Sequence, residues 1–200
     1  MKTIVFDLGG VLLDWDPRHL YQKIFSDPSE MEYFLRDICS PAWNAQMDGG
    51  KSFLDAADEL VLRYPEYETQ IRAYFPRWEE MVKGEFPQTV EILRELRDAK
   101  FPLAALSNWS SETFPRVRDK YEFLSWFDPL VISGQIGYKK PDPEPFHILL
   151  RELDQDAGDC LFIDDMAENI QQAQRLGFDV IQYSTPEQLR GELVDRGLLE

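Results

Sequence analysis

Cysteine is scarce in this chain: 200 residues hold only Cys39 and Cys160. They lie far apart without CxxC or Cys/His spacing, which argues against both a disulfide framework and a zinc site and makes a reducing cytoplasm the expected location. Histidine is equally sparse, and His19 and His147 fall within helical patterns as surface or packed residues rather than ligands. Long apolar runs are missing too. No stretch approaches the ~18 residues of a membrane span, and Ile4-Val5-Phe6 meets Asp7 too early for a signal-peptide core, so neither export nor membrane insertion is expected. Positive charge is in deficit: 21 Lys and Arg stand against 37 Asp and Glu, a net charge of −16. Such a field repels nucleic-acid backbones and anionic membrane surfaces, which excludes both as expected partners. It also disfavours small anionic substrates, so any phosphate chemistry here requires local positive charge from a metal ion or a placed Lys or Arg.

What is present is an ordinary globular composition, 44% hydrophobic, in a length that allows one full core and a modest second module. Ile4-Val5-Phe6 reads as a short buried strand stopped by Asp7-Leu8-Gly9-Gly10. Similar runs recur at residues 102–106, 130–132, 160–163 and 179–181. Helical spacing separates them, in Val90, Leu93 and Leu96, then in residues 145–153, then in residues 167–176 closed by Gly177. This alternation predicts an α/β fold, a parallel sheet with helices on both faces. Residues 17–83 read differently, as aromatic-rich helices without a convincing strand, opened by Asp16-Pro17 as N-cap and first helical residue. The expected division is therefore a core of residues 1–16 and 84–200 with a helical insertion, 17–83.

In open α/β sheets ligands bind at the carboxyl ends of the strands. The residues there are Asp7, Ser107-Asn108, Lys139-Lys140-Pro141-Asp142 and Asp164-Asp165. Acids, a hydroxyl and a lysine on one edge suit phosphoryl transfer through a carboxylate, in which Asp7 attacks phosphorus and splits one difficult displacement into two easier ones. Carboxylate and phosphate repel, so a divalent cation must lie between them. Asp7, the Gly9 carbonyl and an acid from Asp164-Asp165 offer the oxygen-only shell that Mg²⁺ prefers. Ser107 and nearby backbone N–H groups can hold phosphate oxygens, and Lys140 can neutralise the nucleophile and the transferring group.

Phe6-Asp7-Leu8-Gly9-Gly10-Val11, Leu106-Ser107-Asn108, Lys140-Pro141-Asp142-Pro143 and Phe162-Ile163-Asp164-Asp165, in that order, resemble the four motifs of the haloacid dehalogenase (HAD) superfamily. The resemblance covers essentially the whole chain and is strongest to the phosphatase subgroup containing bacterial α-D-glucose-1-phosphate phosphatase and the N-terminal phosphatase of soluble epoxide hydrolase. It implies a three-layer Rossmann-like parallel sheet with a small all-helical cap inserted after the first strand. It also implies Asp7, Ser107, Asn108 and Lys140 as catalytic residues. Asp7, Gly9, Asp164 and Asp165 become the Mg²⁺ site, with Asp165 the direct ligand of the acid pair. Gly10, Trp15 at the cap hinge, Arg18, Trp43 in a polar, turn-like stretch and Trp109 after the second motif are the expected substrate-binding residues.

One position departs from the pattern. Most phosphatases of the superfamily carry a second Asp two residues after the nucleophile, as the acid that protonates the leaving group and the base that activates water. Here that residue is Gly9. Metal-free 2-haloacid dehalogenases lack that Asp as well, which makes dehalogenation with Asp7 as nucleophile the alternative activity; the pair Asp164-Asp165 stands against it. A receiver-like phospho-acceptor fails on chain order, and a dinucleotide site fails because Gly9-Gly10 is not GxGxxG. A small-molecule phosphate ester, with a sugar phosphate first because aromatic faces suit sugar rings, is the expected substrate.

Overall fold

The computed structural model describes residues 2–200. Seven strands occur in chain order: β1 Thr3–Phe6, β2 Leu13–Trp15, β3 Val82–Glu85, β4 Leu103–Ser107, β5 Leu130–Ile132, β6 Cys160–Asp164 and β7 Asp179–Gln182. Five of them form one parallel sheet in the order β5-β4-β1-β6-β7. The chain builds outward from β1 through β4 to β5, then crosses back to place β6 and β7 on the other side. This reversal puts the carboxyl end of the central strand β1 at the topological switch point, where such sheets open a crevice.

The central strands β1, β4 and β6 are buried along their whole length, which is why they appear in the sequence as continuous apolar runs rather than alternating ones. Their side chains still alternate between two layers. Ile4, Phe6, Ala105 and Ile163 face the helices Pro87–Asp98 and Pro186–Asp195, through Val90, Leu93, Leu189 and Leu193. Val5, Ala104, Leu106 and Phe162 face Pro143–Leu153 and Ala167–Arg175, through Phe146, Leu149, Ile170 and Ala173. The result is the expected three-layer α/β architecture.

Between β2 and β3 the chain is helical, and each helix starts on a chemical signal. Asp27, Ser40 and Ser52 accept backbone N–H groups of the first turns of Pro28–Tyr33, Pro41–Asp48 and Phe53–Arg63. Tyr21, Phe34, Trp43, Phe53 and Tyr74 fill the centre of this segment. Asp16 does accept the N–H of Arg18, at 2.8 Å, although the helix it opens is a single turn, Arg18–Tyr21.

The strand-free reading of residues 17–83 needs correction. Val82–Glu85 pairs antiparallel with Leu13–Trp15, Leu13 opposite Glu85 and Trp15 opposite Val82, so the expected boundary at residue 83 falls inside a strand. Both strands are short, and β3 contains Lys83, Gly84 and Glu85, a composition with no apolar period to read. The register is irregular between Asp14 and Trp15, as at a bulge.

Candidate active site

Three strand ends bring the chemistry together. Asp7 follows β1, Ser107 ends β4 and Asp164 ends β6, with Asp165 next. Lys140 reaches the same point from the segment after β5, its backbone gripped by Asn108. The Asn108 amide oxygen accepts the Lys140 N–H and its amide nitrogen donates to the Lys140 carbonyl, both at 2.8 Å. Asn108 therefore positions the lysine, a role its place beside Ser107 does not reveal by itself.

The Lys140 ammonium is buried and makes three polar contacts: 2.6 Å to Asp164 Oδ2, 3.1 Å to Asp7 Oδ1 and a donated bond to the Leu106 carbonyl at 2.7 Å. It also lies over the Phe162 ring, 5.3 Å from its centroid. Burial opposes its charge, but Asp164 and Asp7 outweigh that and hold its pKa above the usual lysine value. Asp7 is pulled in both directions. Burial pushes its carboxyl up, Lys140 pulls it down, and Asp164 and Asp165 push it up again, leaving it at about 7. One lysine does not neutralise three carboxylates.

Asp7, Asp164 and Asp165 each offer an oxygen within 4.8 Å of one another, the arrangement a divalent cation would bridge. The donor set is all oxygen, as Mg²⁺ prefers. The three acids are not equivalent. Asp164 is saturated: Oδ1 accepts the Met166 N–H at 2.8 Å, Oδ2 accepts Lys140, and Asn169 donates to both at 3.0 Å. Asp165 receives no side-chain donor among the described residues, and burial followed by Asp164 raises its pKa. Asp7 and Asp165 are thus open to a cation, while Asp164 fixes the lysine. The Gly9 carbonyl takes no loop or turn backbone hydrogen bond among the described residues.

Two spaces share part of their lining, and the smaller reaches Gly9 and Asn108. A chamber of about 70 Å³ is lined by Gly9, Asn108, Trp109, Trp15, Trp78, Asn44 and Asp48. A cleft of about 700 Å³ shares Trp15, Asn44 and Asp48 with it and extends past Arg18, Leu35, Pro41, Tyr74 and Met166. Trp15 lines both spaces and Trp109 the chamber alone. The Trp109 indole donates to Thr113 at 3.1 Å, and the buried Trp15 N–H has no partner among the described residues. Arg18 lines the cleft but is held by Glu32 through two bonds of 2.7 Å, so its charge is already matched.

Two expected substrate-binding residues line neither space. Trp43 is packed edge-on against Tyr74 and Phe53, its indole N–H donated to the Ala56 carbonyl, and it lines neither space. The pattern Ser40-Pro41 was the missed signal, because a helix starting there turns Trp43 inward. Gly10 lies against the acid cluster and lines neither space. Its φ is +77°, and a Cβ there would lie 2.8 Å from Asp165 Oδ2.

The sequence also concealed Asp48, Asn44 and Asn169. Asp48 is the last residue of its helix, where the helix dipole disfavours an anion. Burial, reinforced by Asp7 and opposed by Lys139, pushes its carboxyl up to about 7. An acid in a final helical turn followed by Gly49-Gly50 is the only sequence trace of this, and it is weak.

A parallel sheet with a catalytic-type Asp after β1, a hydroxyl after β4, a buried lysine and an acid pair after β6 defines the haloacid dehalogenase-like hydrolases. The model of that family matches residues 1–177, and the chain belongs to it. Its relatives include phosphatases. The sesquiterpene phosphatase astK of Aspergillus oryzae is 27% identical over 176 residues, 88% of this chain and 86% of that protein. The D-ribitol-5-phosphate phosphatase of Bacteroides thetaiotaomicron is 24% identical over 220 residues, 96% of this chain and 97% of that protein. Among solved structures, a magnesium complex of the HAD family enzyme bt-2542 from B. thetaiotaomicron superposes with a TM-score of 0.71 at 19% identity, covering 92% of this chain and 93% of that one. The L-2-haloacid dehalogenase of Xanthobacter autotrophicus superposes with a TM-score of 0.63 at 20% identity, over 100% and 85%. The fold is common to both chemistries, so the site must decide between them. No helix among the described residues is long and apolar enough to cross a membrane.

Proposed function

We propose that this protein is a Mg²⁺-dependent phosphatase of small phosphorylated metabolites, working through an aspartyl-phosphate on Asp7. The observation that carries this reading is the convergence of Asp7, Asp164 and Asp165 on one point with a buried Lys140 between two of them. A halide needs no cation to leave, whereas a phosphate dianion approaching a carboxylate does. Asp7, Asp165 and the Gly9 carbonyl would hold the ion, which supplies the positive charge that lets anion meet anion. Lys140, fixed by Asn108 and Asp164, favours the ionised form of Asp7 against burial and the neighbouring acids and lies beside the transferring group. Ser107 holds a phosphate oxygen. The helices of residues 18–81 act as a cap that excludes bulk water and selects the leaving group.

The 700 Å³ cleft is far larger than phosphate itself, and Trp15 and Tyr74 beside Asn44 and Ser40 suit a hydroxylated leaving group of sugar size. A second reading has a specific basis. Leu35, Cys39, Pro41 and Met166 line the same cleft, and an apolar alcohol would fit against them. A cytoplasmic location completes the proposal, supported by two buried free thiols, Cys39 and Cys160.

The test is a screen of purified protein against sugar and polyol phosphates, prenyl-type alcohol phosphates and 2-haloacids, with Mg²⁺ or with excess chelator. Hydrolysis of phosphate esters that chelation abolishes and Mg²⁺ restores is the expected result. Full activity on a 2-haloacid in chelator, with none on esters, would reassign the protein as a dehalogenase.

A further inference from the structure

Position 9 is vacant in the chemical sense but not in the spatial one. A Cβ built on Gly9 meets nothing within 4 Å, so the space into which an acid would project is open. Gly9 lines the small chamber, and the carboxyl-bearing residue that lines it too is Asp48, from the helix Pro41–Asp48. Asp48 also borders the large cleft, so it stands at the junction between the site of phosphoryl transfer and the space for the leaving group. Of the other acids near the hinge, Asp14 borders neither space and is paired with His19 at 2.9 Å, while Asp16 lines the cleft but not the chamber and accepts the Arg18 N–H at 2.8 Å.

Asp48 is held in place like a working group. Its Oδ2 accepts the Asn44 amide at 3.1 Å, and Asn44 is fixed in turn by the Tyr74 hydroxyl at 2.8 Å. Its own carbonyl accepts the Ser133 hydroxyl at 2.6 Å, and the Ser133 oxygen accepts the Trp109 N–H at 2.9 Å, which ties the end of the helix to the loop after β4. The second carboxylate oxygen has no protein partner among the described residues, and Asp48 makes no ion pair. The charged groups that act on it are Lys139, beyond β5, and Asp7.

We infer that Asp48, reaching the site from the helical insertion, is the general acid and base of this enzyme, taking the part that position 9 cannot play; the inference rests on the phosphatase reading above. In the first step Asp7 forms a bond to phosphorus, the bond from phosphorus to the ester oxygen breaks, and the Asp48 carboxyl gives its proton to that oxygen, releasing an alcohol. In the second the Asp48 carboxylate takes a proton from water, the water oxygen bonds to phosphorus, and the bond to Asp7 breaks. Inorganic phosphate leaves and Asp48 is again protonated. The raised pKa of Asp48, near neutrality, suits both directions of transfer.

The test compares wild type, Asp48→Asn, Asp48→Glu and the double variant Gly9→Asp/Asp48→Asn with Mg²⁺, on aryl phosphates running from 4-nitrophenyl to unsubstituted phenyl. Rapid quench measures alcohol release and phosphate bound to Asp7. For Asp48→Asn, phosphoenzyme formation from phenyl phosphate should slow about 100-fold, against only a few-fold from 4-nitrophenyl phosphate. Phosphoenzyme should accumulate as a burst that the wild type lacks. Asp48→Glu should recover part of the loss, and Gly9→Asp should restore phenyl phosphate turnover to the double variant. A wild-type enzyme that is active while Asp48→Asn shows the same leaving-group dependence, or loses equally on every ester, overturns the role of Asp48 alone. A wild type inactive on all the esters with Mg²⁺ overturns the phosphatase reading itself.

Discussion

Asp7 should make the metal-free protein less stable as the pH rises, and the amount follows from its surroundings. Its side chain is buried (7% exposed), and its carboxyl stands at about 7 against 3.8 for a free one. A carboxyl with a folded-state pKa above its unfolded value binds its proton more tightly when folded. Its stabilising contribution is therefore complete below pH 4 and is lost as the pH climbs through 7. The rise from 3.8 to about 7 corresponds to about 4 kcal/mol at pH 8. Asp7→Asn removes the titration and keeps the size. Urea unfolding in chelator at pH 5, 6, 7 and 8 should show wild-type stability falling more steeply than that of the variant, the gap approaching about 4 kcal/mol by pH 8. Asp165 and Asp48 titrate in both proteins, Asp48 losing in the variant only the smallest cause of its rise, so the difference between the two reports mainly on Asp7. Mg²⁺ at a hundred times its dissociation constant should then return about 2.7 kcal/mol to the wild type at pH 8, and nothing to Asp7→Asn. At pH 5, where Asp7 carries its proton, neither should gain. Parallel pH profiles for the two proteins, or an equal Mg²⁺ response in both, would refute the argument.

Gly10→Ala should act on the cation, because its Cβ would press on Asp165 Oδ2 at 2.8 Å in a backbone conformation that already resists a side chain; the Mg²⁺ concentration for half-maximal activity should rise at least tenfold, read from a metal titration. Trp43→Ala should cost about 3–5 kcal/mol in urea unfolding and lower activity on all esters alike, since the ring belongs to the aromatic centre of the helical segment. A changed ranking of substrates without loss of stability would return Trp43 to the substrate.

The sheet was legible because of how it is buried. Strands covered on both faces become unbroken apolar runs, and Asp7 and the Asp164-Asp165 pair stand out because an acid at the end of such a run is a sharp change of chemistry. The residues that converge on Lys140 were legible for the same reason, as each sits at a strand end. What the strand ends could not disclose was how partners divide the work. Asp164 and Asp165 are adjacent and alike in sequence, yet Asn169, Met166 and Lys140 occupy one and leave the other open. The ribbon of β2 and β3 was invisible because its pairing joins two segments of only three and four residues with the whole helical insertion between them. Asp48 was hidden in the same way. Nothing local marks an aspartate whose importance comes from an empty space beside Gly9, in a different part of the chain.

The ribbon has one more consequence. Because Leu13 and Glu85 are partners across the ribbon, the chain leaves and re-enters the core at one place, and the further ties of the hanging part run to segments outside the strands, as from Ser133 to the Asp48 carbonyl and from Glu112 to the Phe53 N–H. Selection can lengthen, shorten or exchange the hanging part, and a protein engineer can graft one in, without moving Asp7, Lys140 or Asp165. If the proton-transfer group travels with the graft, as Asp48 would, then exchanging this part does more than retune which alcohol is released. It sets whether the host core can release a poor leaving group at all, so a core that has given up its own acid inherits its competence from the passenger.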